Sequence, residues 1–263
     1  MANHNINPIA AEGFEKAAEV YEQARPSYPP DAIDFIKSLH DKPNVIVDLG
    51  AGTGKLTRLL GSMGAQEIVA IEPVAAMREN LKKIPIITKI IDGTAEHIPF
   101  DDSSIDIIIC AQAFHWFATH QTLTELNRVL KSNGLLILLW NIPNNQGAPE
   151  WAENVTKYVE SFKPSEGVNY ETEKWKAVFE NQTLFSSLQQ KQFSHKQRVT
   201  PDLALKMILS MSFIAKLPSE EQTKLVDNVK KILNDVEEIR NTNGFDINLD
   251  TDVYWCSPLK PSP

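Results

Sequence analysis

Between residues 44 and 140 the chain repeats one arrangement. Short apolar, β-branched runs come at regular intervals, at Val45–Leu49, Ile68–Ile71, Ile86–Ile91, Ile105–Cys110 and Leu135–Trp140. Runs of this length without polar alternation read as strands buried on both faces. Helix-length segments separate them, among them Lys55–Met63, Val74–Lys83 and Thr122–Leu130. Strand and helix in regular alternation restrict the chain to an α/β fold with a mostly parallel sheet and right-handed crossovers.

Upstream, Pro29 and Pro30 open an amphipathic helix over Asp31–Leu39, and Glu12–Gln23 also has helical character. After Trp140 the pattern changes. The turn-rich stretch 141–147 precedes a helix over Pro149–Phe162, and Leu188–Val199 reads as a long strand. Thr200 caps a helix that starts on Pro201. Ser219 with Gln222 reads as a capping box for an amphipathic helix whose apolar face runs from Leu225 to Ile239. Val253–Cys256 is an expected edge strand, and the Pro-rich tail 257–263 is expected to be loose.

The strongest local signal is the segment from Val45 to Lys55, VIVDLGAGTGK, placed where the first strand turns into a helix. Glycines at such a turn let a ligand approach the main chain. A phosphate-cradling loop needs a glycine five positions before Gly54 and a hydroxyl residue after Lys55; Leu49 and Leu56 stand there. A dinucleotide fingerprint needs a third glycine where Lys55 or Thr57 stands. What remains is G-x-G-x-G preceded by Asp48. About 20 residues on, a strand ends in Glu72, an acid suited to accept hydrogen bonds from ribose hydroxyls.

Composition narrows the function. Net charge is −8 with no basic stripe, which disfavours nucleic acid as partner. Two cysteines, Cys110 and Cys256, make no disulfide framework. The N-terminus lacks a basic region followed by an apolar run, and no apolar stretch is long enough for a bilayer, so a cytoplasmic protein without membrane association is expected. The histidines at 4, 40, 97, 115, 120 and 195 show no metal-ligand spacing, and no metal is expected. Oligomeric state is not readable.

Three further segments follow in order: DGTAEHIPF from Asp92, DIIICAQAFHWF from Asp106, and LNRVLKSNGL from Leu126. With the glycine loop and Glu72 they resemble the successive motifs of the small-molecule class I S-adenosylmethionine-dependent methyltransferases. EQARPSYP from Glu22 and AQAFHW from Ala111 resemble the branch that includes trans-aconitate methyltransferase-like enzymes and fungal small-acid methyltransferases. The resemblance covers roughly residues 10–140. It implies a doubly wound, mostly parallel, seven-stranded Rossmann-like sheet. On that basis a single domain is expected, with a core at about 40–140 plus strands at 186–199 and 252–257, an N-terminal cover at 10–39, and a helical lid from 141–185 and 200–248.

The same resemblance implies roles. Gly50, Ala51 and Gly52 pass beside the methionine part of S-adenosylmethionine, and Asp48 supports the loop or the amino group. Glu72 holds the ribose, and Pro73 and Met77 flank the adenosine. Thr94, Ala95 and Glu96 meet the adenine edge, with Thr94 standing where many relatives have an aspartate. Gln112 lies near the methionine amino group. Tyr21 and Arg25 close over the cofactor, and Arg25 is also suited to a carboxylate. His115 is the candidate base and Trp116 a pocket wall. A small-molecule acceptor with an oxygen nucleophile, such as a carboxylate, is the expected substrate. The segment after the fourth strand is not [ND]-P-P-[FY], which disfavours a nucleobase. The alternatives are an NAD-dependent oxidoreductase and a catalytically silent nucleoside-binding module.

Overall fold

A computed structural model describes residues 25–163, 170, 173–242 and 244–260. Tyr21 and the expected helix over Glu12–Gln23 lie outside them. Seven strands form one sheet in the order β3-β2-β1-β4-β5-β7-β6. They are β1 (Val45–Leu49), β2 (Glu67–Ile71), β3 (Lys89–Ile91), β4 (Ile105–Ala111), β5 (Leu130–Pro143), β6 (Gln189–Val199) and β7 (Phe245–Cys256). Strands β1 to β5 run parallel, and β7 alone is reversed, pairing antiparallel with both β5 and β6.

The two-residue period of a strand sends neighbours to opposite faces. Val47, Leu49, Val69, Ile71, Ile108 and Cys110 pack on one face, and Ile46, Ile68, Ile107 and Ile109 on the other. All ten are essentially inaccessible to solvent. That is why these runs lack polar alternation, and each such side chain contributes roughly 1.5–3 kcal/mol of burial. Helix α1 (Pro30–Ser38) closes the second face through Ala32, Ile33 and Ile36. Helices α2 (Ala75–Leu81) and α3 (His120–Val129) lie in the crossovers; Thr119 caps α3 by accepting from the Thr122 amide.

Several elements depart from the sequence-based expectation. The segment after the glycine loop is a 3₁₀ helix, Thr57–Met63, ending on left-handed Gly64. Strand β3 starts later than Ile86 because Pro85 sits in a turn closed by the Ile87 amide on the Ile84 carbonyl. Strand β5 begins at Leu130 and continues to Pro143, since reversed β7 gives it a partner along residues 136–143. β7 is an interior strand of 12 residues, not a short edge. Its acids hid it: Asp252 is buried but accepts from Gln192 and Tyr170, and Asp250 accepts from Asn144 and Ser194.

The C-terminal half adds α4 (Glu150–Glu160), α5 (Pro201–Leu209), α6 (Ser212–Ala215), α7 (Ser219–Asp235) and α8 (Glu237–Thr242). They form a separate apolar cluster around Leu225, Val229, Leu233 and Leu205, which meets the sheet at Val199 and Phe245. Thr200 caps α5 as expected. Ser219 does not form a capping box. The position before α7 is Pro218, and Gln222 turns back to donate to the carbonyls of Ile214, Ala215 and Leu217, fixing the preceding turn instead. The tail is docked through Lys260: Pro258 bridges Phe185, and Lys260 Nζ donates to Ser103 and the Arg128 carbonyl. No helix among the described residues is long and apolar enough to cross a membrane.

Candidate active site

Strand order reverses between β1 and β4, and ligands of open α/β sheets bind at such a switch point beyond the carboxyl ends of the strands. The glycine loop leaves β1 there. Gly50, Gly52 and Gly54 all have positive φ, at 71°, 56° and 86°. Each glycine meets a different neighbour. A Cβ on Gly50 would lie 2.7 Å from Ala113 Cβ, so the β4 exit can approach only because none is present. A Cβ on Gly54 would lie 2.2 Å from Ile84 Cδ1, so this glycine seats the loop on the layer below. Gly52 turns its amide to Glu72.

Glu72 ends β2 and is 5% exposed. Its Oε2 accepts from the Gly52 amide and its Oε1 from the Val74 amide, both at 2.8 Å. Burial raises its pKa, and those two amides and Arg78 oppose the rise. Arg78 donates to the Glu72 carbonyl and forms a two-pronged ion pair with Asp92, tying the end of β2 to the end of β3. Asp48 lies beneath the loop, 1% exposed. Its Oδ2 accepts from Thr57 at 2.6 Å, while its buried Oδ1 accepts nothing. Burial pushes its pKa up to about 7, against the Thr57 hydrogen bond and with help from the Glu72 charge.

Across the switch point, Gln112 leaves β4 with φ +58°, an uncommon conformation for a residue with a side chain. Its amide donates to Leu139, and its Nε2 donates to the Asn141 carbonyl at 3.0 Å. Asn141 in turn donates to the Ser27 carbonyl and accepts from Thr251. One β5 residue thus ties the N-terminal segment, the β4 exit and β7 together.

A cavity of about 370 Å³ opens over these groups. Of the residues expected at the site, it is lined by Arg25, Gly50, Ala51, Gly52, Glu72, Pro73, Met77, Thr94, Ala95, Glu96, Gln112 and Trp116. Asp48 and His115 are not among its walls. His115, the expected base, lies behind the wall. Its Nδ1 accepts the Trp140 indole N–H at 3.1 Å, so the proton of the neutral ring sits on Nε2 and the remaining lone pair is taken. Burial, with the Arg25 charge adding to it, lowers its pKa to about 4. Trp140 itself stacks against Trp175 and Tyr170, so His115 belongs to an aromatic layer under the site.

Sequence reasoning missed Lys55, Phe117 and Asn141 as wall residues; at the far end of the cavity it offered Trp151 as a wall or core residue and did not single out the others. There Trp151 and Val155 from α4, Met207 from α5, Met211 just beyond it, and Val229 and Leu233 from α7 face the void. Periodicity marks those side chains as apolar helix faces but does not say that the faces leave a hollow between them. Arg25 reaches this end, its Nη2 donating to the Ser210 carbonyl at 3.1 Å.

A doubly wound sheet with a glycine turn at its switch point, answered by an acid at the end of the next strand, defines the nucleoside-binding class of α/β proteins. Within that class, residues 47–138 match the model of the methyltransferase domain family. An uncharacterized methyltransferase-like protein of Schizosaccharomyces pombe is 34% identical over 251 residues, covering 95% of this chain and 96% of its own. An uncharacterized methyltransferase of Mycobacterium tuberculosis is 33% identical over 235 residues, covering 88% and 90%. A solved structure of a candidate type II methyltransferase from Anaeromyxobacter dehalogenans superposes with a TM-score of 0.68 at 19% identity, covering 90% of this chain and 99% of that one. The chain belongs to this methyltransferase family.

Proposed function

We propose that the protein transfers a methyl group from S-adenosylmethionine to the oxygen of a small-molecule acceptor, a carboxylate in the first instance, as the resemblance to the small-acid branch suggests. The observation that carries this reading is the Glu72 carboxylate held against the glycine loop at the edge of the cavity.

The residues present fit the cofactor. Gly50 and Gly52 bring the main chain of the loop to the cavity wall, and each Glu72 oxygen keeps a lone pair for a ribose hydroxyl while accepting from an amide. Pro73, Val74 and Met77 offer an apolar wall for the adenosine, with Thr94, Ala95 and Glu96 beside it. Asp48 offers its unmatched Oδ1 to the loop region from below. When bound, the cofactor supplies a methyl carbon on a sulfonium: the acceptor oxygen's lone pair forms the new carbon–oxygen bond as the carbon–sulfur bond breaks onto sulfur.

What the chain contributes is positioning and charge. In favourable systems positioning alone supplies about 7–11 kcal/mol. Among the described residues no histidine lines the cavity, and the acids on its wall are Glu72, Glu96 and Asp246. Glu72 is bound to amides, Glu96 lies on the adenosine side, and Asp246 is half exposed and paired with Arg198 at 3.5 Å. An acceptor that is already a nucleophile at neutral pH suits such a site, and a carboxylate needs no base. Arg25 and Lys55 supply positive charge along the wall. The helices α4 to α8 serve as the lid, and the whole works as one cytoplasmic unit.

The test is transfer of labelled methyl from S-adenosylmethionine to a panel of small carboxylic acids, with base-stable amines and phenols alongside and NAD as a binding control. Base-labile methyl esters are the expected product. Stabilisation by NAD but not by S-adenosylhomocysteine would overturn the reading.

A further inference from the structure

The two ends of the cavity differ in chemistry, and the difference bears on what is methylated. The end at the glycine loop is polar. The far end is walled by Trp151, Val155, Met207, Met211, Val229 and Leu233. Trp151, Val155, Met207 and Met211 are partly exposed, and Val229 and Leu233, 0% and 2% exposed, form the packed layer behind them. This lobe is continuous with the cofactor end, so a molecule seated there reaches the reacting centre. Native cores rarely leave apolar hollows unfilled, because each costs stability. Two methionines in one wall also let the lobe adjust to its occupant.

Among the described residues, the cations of the wall, Arg25 and Lys55, come from outside α4, α5 and α7, and Asp246 also lines the cavity. Arg25 donates to the carbonyl of Ser210, the residue before Met211, which sets its guanidinium at the rim of the lobe. Beyond that rim α4, α5 and α7 offer chiefly apolar side chains, with Thr156 a polar exception on α4. A second or third carboxylate on the acceptor would be buried there without a counter-charge, at a heavy desolvation penalty.

We infer that the acceptor is an amphipathic monocarboxylic acid, whose aliphatic or alicyclic body fills the lobe between α4, α5 and α7 while its single carboxylate stays at the Arg25 rim. This rests on the methyl-transfer reading above and narrows it: a compact polycarboxylate is excluded as the preferred substrate. The transfer is the balanced step already given, and no proton moves.

The experiment is direct binding by calorimetry on the full chain, saturated with S-adenosylhomocysteine. Straight-chain monoacids from butanoate to decanoate are compared with their amides and with a tricarboxylate, and ester formation is then assayed with S-adenosylmethionine. Affinity of the acids is expected to rise about fourfold per added methylene until the lobe is full. The tricarboxylate should bind at least about a hundredfold more weakly than the best acid, as about four methylene steps without a penalty would already give. Met211→Glu should flatten the chain-length series and Met211→Leu should keep it, with S-adenosylhomocysteine affinity held in both as proof of folding. A flat series in the wild-type protein, or tighter binding of the tricarboxylate, overturns the inference and leaves methyl transfer standing. Equal binding of acids and amides with no ester from any acid overturns the carboxylate end. Failure to bind S-adenosylhomocysteine sinks the methyltransferase reading instead, while the chain-length series, repeated without it, is still read on its own.

Discussion

Glu72 Oε2 accepts a hydrogen bond from the amide of Gly52, 20 residues earlier in the chain, at 2.8 Å. With Val74 on the other oxygen, the carboxylate is fixed before any ligand arrives. Glu72→Gln turns an amino group toward one of these N–H donors and removes the charge. Hydrogen bonds to charged groups contribute about 1.5–3 kcal/mol. Calorimetry should therefore show S-adenosylhomocysteine affinity down by about 10- to 100-fold. An unchanged affinity would remove Glu72 from the cofactor site.

The glycines make unequal demands. Gly54 has φ +86° and its Cβ would strike Ile84 and Leu81, whereas Gly64 has φ +70° with nothing within 4 Å. Gly64→Ala should lose only the left-handed conformational term, about 1–2 kcal/mol. Gly54→Ala adds overpacking of about 1–3 kcal/mol. Urea denaturation of the two variants should separate them, with Gly54→Ala the less stable.

Asp48 gives stability a pH dependence of unusual sign. An unfolded aspartate titrates near 3.8, and in the folded protein burial holds Asp48 up at about 7. Between those values the folded state binds the extra proton, so this contribution is present at low pH and is lost as pH rises through 7. Three pKa units correspond to about 4 kcal/mol. Asp48→Asn should be more stable than wild type at pH 8 and should lose most of that slope, with Glu72, raised in the same direction, retaining some. Denaturation at pH 5 and pH 8 without ligand checks this. An equal slope in both proteins would show that Asp48 is not the group responsible.

With its Nδ1 accepting from Trp140, His115 is expected not to act as a base. Loss of a general base ordinarily lowers rate by about 10²–10⁴. His115→Gln, which can still accept from the indole, should keep kcat within about tenfold, and the pH–rate profile should show no step that disappears with it. A fall of three orders of magnitude would restore His115 to the chemistry.

The cofactor half was legible because its physics is local. Val45–Leu49 is a buried strand by composition alone, the three glycines sit where the backbone has positive φ, and Glu72 follows at the distance a βαβ unit imposes. The acceptor half depends on partners distant in sequence. Nothing in FDINLDTDVYWC announces an interior strand, because Asp250 and Asp252 are satisfied only by Ser194, Asn144 and Gln192. Gln222 has the spacing of a cap, but its side chain holds the turn before the helix. His115 looked reactive by position, and only the Trp140 contact shows where its lone pair points.

The helices of the C-terminal half pack mainly on one another and touch the sheet at its last two strands. On the proposed reading, the part that contacts the acceptor is therefore built on a different apolar cluster from the part that holds the cofactor. Residues such as Trp151 and Met207 can drift without disturbing the amides that hold Glu72, five strands away from β6. A chain built this way can change its customers over evolutionary time while keeping its currency.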